Sequence, residues 1–190
     1  MALASIKIPA ELFALAESSH YEGEIDLPLL QVGPDDYTFS APLPWSVDVT
    51  NTGSALLVAG SVTGEATCAC ARCLDDVSYS LQGEIEGYFL IEGAYAQGGD
   101  DEGWDEDEPG EDEFDVLPAD HVIDLEPLIR AALMVEAPNV PLCREDCAGL
   151  CPSCGANLNE GPCGCGLDEA LEDFDRAANP FAALADFKFE

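Results

Sequence analysis

The sequence predicts an α+β fold: an antiparallel β-sheet or partly open barrel packed by a few helices, with a cysteine-rich, zinc-binding segment towards the C-terminus. Three observations lead there. Between residues 21 and 91 apolar and polar residues alternate in long runs, the period of strands with one wet face. Asp124–Pro138 carries the apolar spacing and the punctuation of a helix. Six of the nine cysteines fall between positions 143 and 165, a density that suits metal ligation. A chain of 190 residues that is 47% apolar and 24% charged is long enough, and ordinary enough in composition, to bury its own core as one domain.

Taken in order, Ser5 to Ala16 reads as a short apolar element, followed by a polar turn at Ser18–His20. Strands are expected at Ile25–Leu30, Trp45–Thr50, Ala55–Thr67 and Val77–Ile91. The turn signals Asn51-Thr-Gly and Leu74-Asp-Asp separate the last three, so residues 1–97 form a mostly antiparallel meander. Residues 98–118 are expected to be an acidic flexible loop. Within it, Gly98–Asp115 packs eleven acids into eighteen positions without a base, a composition that builds no core. Its large apolar residues are Trp104 and Phe114. Asp101, Glu102, Trp104, Asp105, Glu106, Asp107, Glu108 and Phe114 are therefore candidate partner-binding residues.

Residues 119–140 hold the packing helix. Asp124 is placed to cap it, Pro127 sits in its first turn and Pro138 stops it. Leu125, Leu128, Ile129, Ala132, Leu133 and Val135 form a stripe that packs on the sheet as plain core. The cysteine-rich segment, 141–166, comes next. A helical tail over 167–190 follows, with an acidic helix at Leu167–Ala178 and a last apolar turn from Asn179 to Phe187.

The sign of the charge is the unusual part of the composition. Six Lys and Arg stand against 39 Asp and Glu, a formal net charge of -33. Phosphate contacts depend on Lys and Arg, so direct, extensive nucleic-acid binding is disfavoured, and the expected partner is a basic protein or peptide. The N-terminus lacks a basic region ahead of an apolar core, and no run approaches the ~18 apolar residues of a membrane span. The expectation is a cytoplasmic protein with no membrane association, and in a reducing compartment cysteines serve as metal ligands or thiols rather than disulfides.

Two cysteine motifs are read together. Cys70-Ala-Arg-Cys73 lies between a strand and an acidic turn; the second motif runs Cys143-x3-Cys147-x3-Cys151-x2-Cys154-x8-Cys163-x-Cys165. Cys151-Pro-Ser-Cys154-Gly155 suits a zinc knuckle, in which two thiolates converge on one ion and Gly supplies a left-handed residue. Glycine-flanked Cys163 and Cys165 are near enough to complete a tetrahedral set. Cys143 and Cys147 then lack partners, as do Cys70 and Cys73. Pairing these four ties the sheet to the segment after the helix across the 69 residues between Cys73 and Cys143, where a clip gains most from loop closure. An alternative partition builds one site on Cys147, Cys151 and Cys154 with the rest as thiols, so one or two structural zinc ions are expected. Cys68 is left over as a small buried hydrophobe.

Other chemistry is poorly represented. Cys70-Ala-Arg-Cys73 has the spacing of a redox pair, but its surroundings read strand-turn-strand rather than strand-helix. The sequence contains no phosphate-binding loop and no Gly-x-Ser-x-Gly elbow, and its two histidines, His20 and His121, have no pairing spacing and read as surface residues. No enzyme is expected. A cysteine- or zinc-based redox or metal-responsive regulator is the second reading.

Several motifs in order carry a resemblance: Cys70-Ala-Arg-Cys-Leu74 after a strand, the Asp124-Leu-x-x-Leu-Ile helix ending in proline, Pro141-Leu-Cys-Arg-Glu-Asp-Cys-x-Gly-Leu-Cys-Pro-x-Cys-Gly-x-Asn-Leu-Asn, and Asn179-Pro-Phe-Ala-x-Leu. Together they resemble the YceD family of large ribosomal RNA subunit accumulation proteins over nearly the whole chain, with residues before about Gly53 only loosely matched. The resemblance implies a non-enzymatic role in accumulation of large-subunit ribosomal RNA during ribosome assembly. Joined to the acidity, it makes a basic ribosomal protein or a large-subunit assembly intermediate the expected partner.

Overall fold

The computed structural model describes residues 4–91 and 115–165. The chain enters through β1 (Ser5–Lys7) and a short 3-10 helix (Ala10–Phe13), then builds one mostly antiparallel sheet. Its strands are β2 (Ser18–Ile25), β3 (Leu29–Val32), β4 (Asp35–Phe39), β5 (Leu43–Asn51), β6 (Ala55–Ala69) and β7 (Asp76–Leu90), joined by the short β8 (Asp115–Val116). β9 (Val122–Asp124) pairs with β1 as a separate two-stranded ribbon, and α1 (Glu126–Glu136) follows it.

β6 is the spine. Along one edge its first half pairs with β5, from Asn51↔Leu56 to Trp45↔Val62, and its far end pairs with β4 at Phe39↔Ala66 and Thr38↔Thr67. β7 runs along the whole of the other edge, from Ala55↔Leu90 to Ala69↔Asp76. β2 lies outside β5, β3 outside β4, and β8 joins β7 in parallel. The sheet stays open, with β2 and β3 at one margin and β8 at the other.

Alternation decides which face is wet. Val47 and Val49 of β5, Val58, Val62, Ala66 and Cys68 of β6, and Leu81, Ile85 and Phe89 of β7 point inward, where they pack with Ile129 and Leu133 of α1. The helix lies close because β7 presents glycines. A Cβ at Gly83 would stand 2.7 Å from the backbone carbon of Ala132, and one at Gly87 would stand 2.7 Å from the Leu128 side chain.

Several expectations change. The open sheet is one of the two forms expected, not a closed barrel, and among the described residues one α-helix and one 3-10 helix accompany it. Ser18–His20 is the start of β2, not a turn, because His20 and Ser18 pair side by side with Asp48 and Thr50 of β5. Ile25–Leu30 is split between the end of β2 and the start of β3, and the β4 hairpin partner Asp35–Phe39 has no counterpart in the sequence reading. Residues 115–118, expected as the end of the acidic loop, are built into the fold: Asp115 and Val116 form β8, and Leu117 is buried. The helix starts at Glu126, with the Asp124 carboxylate accepting the Glu126 N–H at 3.0 Å. Its stripe is buried at Leu125, Ile129, Ala132 and Leu133, but Val135 is 83% exposed. Asp101, Glu102, Trp104, Asp105, Glu106, Asp107, Glu108 and Phe114, and the expected helix at 167–178, lie outside the described residues.

Candidate metal centre

The long β6–β7 hairpin delivers the first pair of thiols. At its tip Cys70 N–H donates to Asp75 O (2.8 Å) and Leu74 N–H to Cys70 O (2.9 Å), closing a knuckle in which Leu74 takes a left-handed φ of 65°. The second pair must come from beyond α1, and two strand tyrosines aim it. Tyr37 of β4 donates its hydroxyl to Pro138 O (2.9 Å). The Tyr79 hydroxyl of β7 donates to Leu142 O (2.9 Å) and accepts Leu142 N–H (2.8 Å). With Ala71 N–H bonded to Pro141 O (2.8 Å), these contacts lay 138–142 along the sheet end, and Cys143 arrives beside the knuckle.

The result is a first quartet: Cys70, Cys73, Cys143 and Cys147, their sulfurs all within 4.8 Å of one another. Cys70 and Cys147 sulfurs are 3.9 Å apart and those of Cys73 and Cys143 are 3.6 Å apart. A tetrahedral zinc with Zn–S of about 2.3 Å sets edges of about 3.8 Å, so the donor set fits. Cys70, Cys73 and Cys147 are buried against Val77, Leu142 and Leu150, and Cys143 is exposed.

Arg72 locks the quartet from outside. Its guanidinium donates to Cys147 O (3.0 Å) and Glu145 O (3.4 Å), while its own carbonyl accepts Leu150 N–H (3.1 Å). Asn159 donates its side-chain amide to Cys147 Sγ at 3.3 Å.

The second quartet is Cys151, Cys154, Cys163 and Cys165, again with all sulfurs within 4.8 Å. Gly155 N–H closes this knuckle on Cys151 O (2.8 Å) with a φ of 73°. It is the more open of the two: Cys151 is buried, Cys163 and Cys165 are half-buried, and Cys154 is exposed.

Electrostatics say what such quartets require. Burial opposes ionisation of Cys70, but the backbone N–H groups of Cys73, Arg72 and Cys143 outweigh it and hold the thiol down at about 6. Cys147 is lowered as well, first by the Asn159 amide. Cys143 is raised: the residue as a whole is exposed, but its sulfur is desolvated among the others and crowded by those of Cys147 and Cys70. Cys73 is also raised: the Asp75 N–H favours its thiolate, yet burial and the Asp75 carboxylate prevail. In the second quartet the Cys154 and Ser153 N–H groups hold Cys151 at about 6, whereas its neighbours Cys154 and Cys163 push Cys165 up to about 12. Four crowded sulfurs cannot all ionise beside one another without a cation, so each quartet either keeps protons on some of its thiols or could hold a metal ion in their place.

The structure thus groups eight cysteines in the partition that spacing suggested, and sets Cys68 apart in the main core. The one-site alternative built on Cys147, Cys151 and Cys154 is not how these thiols are grouped, because Cys147 belongs to the first set. The sequence reading gave Arg72 only as a base beside the thiols, not as a clamp on backbone carbonyls, and it missed the roles of Asp75, Tyr79, Asn157 and Asn159. The usable signal was Asn157-Leu-Asn159, two amides in the short connection between two ligand pairs. His20 and His121 are exposed and join neither quartet; His20 pairs with Asp48, and the His121 ring lies 4.9 Å from that of Phe13.

Fold and site define a mostly antiparallel sheet protein whose hairpin tip and post-helix segment carry two four-cysteine sets able to hold metal ions. The family model described as Large ribosomal RNA subunit accumulation protein YceD matches residues 58–188, and the chain belongs to that family. An uncharacterized protein of Mycobacterium tuberculosis (strain ATCC 25618 / H37Rv) is 34% identical over 154 residues, covering 81% of this chain and 67% of that protein. A Mycobacterium leprae (strain TN) protein is 31% identical over 150 residues, covering 79% of this chain and 62% of its own length. The Arabidopsis thaliana protein named Large ribosomal RNA subunit accumulation protein YCED homolog 1, chloroplastic, is 30% identical over 160 residues, with 76% of this chain and 50% of that protein covered. No solved structure matches the chain. No helix among the described residues is long and apolar enough to cross a membrane.

Proposed function

We propose that this protein is a non-enzymatic factor in ribosome biogenesis that supports accumulation of large-subunit ribosomal RNA by binding a basic ribosomal protein or a large-subunit precursor. The observation that carries the reading, beside family membership, is the wet face of the sheet. β2 to β7 contain no Lys or Arg, and Glu22, Glu24, Asp48, Glu65, Asp76, Glu84 and Glu86 all point outward from them. A shallow depression of about 560 Å³ lies there, lined by Ser61, Gln82, Glu84, Glu86 and Glu136.

The described arginines are spent internally. Arg72 holds backbone carbonyls, Arg130 pairs with Glu126 at 2.9 Å, and Arg144 pairs with Asp146 at 3.3 Å. A surface of this kind repels phosphate and speeds encounter with a basic protein. Zinc in both quartets would supply structural clips, because closed all-thiolate sets leave no open position for substrate. Affinity purification of the full chain at moderate salt tests the reading. Recovery of basic large-subunit proteins or precursor particles is expected, together with reduced large-subunit rRNA when the gene is removed. Recovery of neither, with normal rRNA, would end the proposal.

A further inference from the structure

Asn157 and Asn159 lie between Cys154 and Cys163, within the loop that joins the two halves of the second quartet, yet their side chains serve the first. Asn159 donates Nδ2–H to Cys147 Sγ (3.3 Å), while its Oδ1 accepts Ala148 N–H (2.8 Å) and Arg144 Nη2–H (2.6 Å). Asn157 donates Nδ2–H to Asp75 Oδ2 (3.0 Å), the same oxygen that faces Cys73 Sγ at 3.2 Å, and its Oδ1 accepts Asn159 N–H (3.0 Å).

The backbone makes one unit of this loop. Cys151 N–H bonds to Ala156 O and Leu158 N–H to Gly149 O, with a bridge between Leu150 and Asn157. Gly149, at φ 73°, lets the strip approach the Arg72 carbonyl, which a Cβ would meet at 3.1 Å. None of these contacts is needed to hold an ion in the second quartet.

We propose that the two quartets are thermodynamically coupled through Asn157-Leu158-Asn159, so that metal held by the second set keeps these amides on the first and tightens its hold. The proposal rests on the reading that both quartets take metal. The second set pins the loop at both ends, Cys151 and Cys154 before it and Cys163 and Cys165 after it. Without an ion there, ordering the loop costs conformational entropy that its few hydrogen bonds must meet alone. With the loop in place, the Asn159 N–H draws charge from the Cys147 sulfur and favours thiolate over thiol, as outer hydrogen bonds to metal ligands do. Linkage makes the effect reciprocal: metal in the first quartet also tightens the second.

The test uses the full chain loaded with zinc and challenged with a chromophoric chelator, the released metal being assigned to a quartet by mass-spectrometric mapping of newly alkylated cysteines. Cys163→Ser/Cys165→Ser is expected to keep zinc in the first quartet but to surrender it about tenfold faster than the unmodified chain does. Asn159→Ala, which retains all eight thiols, should keep both quartets loaded and also speed release from the first about tenfold. Adding Asn159→Ala to the serine pair should then bring no further acceleration. Release from the first quartet at the unmodified rate in either variant overturns the coupling, as does a full second increment in the combined variant. An unmodified chain that takes up no zinc at all fails one step earlier, at the reading that the quartets are metal sites.

Discussion

Cys68 and Cys70 are two residues apart on the same hairpin and do different work. Cys68 is buried in the main core, where burial raises its thiol, whereas Cys70 faces three other sulfurs. Cys68→Ala is therefore expected to leave metal content unchanged and to cost about 1 kcal/mol in urea unfolding, while Cys70→Ala should empty the first quartet, as measured by metal analysis. Tyr79, through Leu142, is one of the residues that place Cys143. Replacing it with Phe leaves the Leu142 N–H and C=O without their partner, a loss of about 1–3 kcal/mol; alkylation of Cys143 should become faster. Leu74 sits 65% exposed at a left-handed φ of 65°, the position that Gly155 fills in the other knuckle.

At the scale of elements, the hairpin β6–β7 and helix α1 form the frame on which the first quartet depends. Their close approach at Gly83 leaves no room for a side chain. Gly83→Val should push α1 away from β7 and destabilise the fold by about 1–3 kcal/mol or more, read as a lower urea midpoint with the metal still bound. Much of this frame was legible in the sequence: the alternation of β5, β6 and β7 placed them to within a few residues. The β3–β4 hairpin was not, because Asp35-Asp-Tyr-Thr-Phe39 begins with two acids and shows little alternation until Tyr37 and Phe39 turn inward. The start of β2 was not legible either, because Ser18, Ser19 and His20 look like a turn in isolation, and only pairing with Thr50, Val49 and Asp48 makes them strand.

Across the whole molecule, the first quartet fastens the sheet end to the chain beyond α1, so metal removal should loosen tertiary structure well beyond the thiols. Chelation is expected to lower the unfolding midpoint and expose Cys70 and Cys147, which are buried in the folded chain. Acid should act in the same direction. Metal binding competes with protons for the thiolates, and the Cys70 and Cys151 thiols are held down at about 6. Retention should therefore decline as the pH falls, most steeply below about pH 6, where Cys70 and Cys151 of the competing metal-free state are protonated along with the other thiols; metal content after equilibration from pH 8 to pH 4.5 reads this directly.

Composition by itself determined the field of this protein, since -33 follows from the residues whatever the fold. Short-range spacing determined the knuckles, because Cys-x2-Cys brings two sulfurs together through a single tight turn. What spacing left undecided was which pairs complete one another, and this the tertiary structure settled. Cys73 and Cys143 are separated by 69 residues of chain, and their sulfurs meet at 3.6 Å only because β6, β7 and α1 carry them there and Tyr37 and Tyr79 anchor the returning segment. The asparagine bridge is of the same kind. Hydrogen bonds from Asn157 to Asp75 and from Asn159 to Cys147 leave no trace in local periodicity, since side-chain contacts between distant segments are fixed by packing and not by propensity.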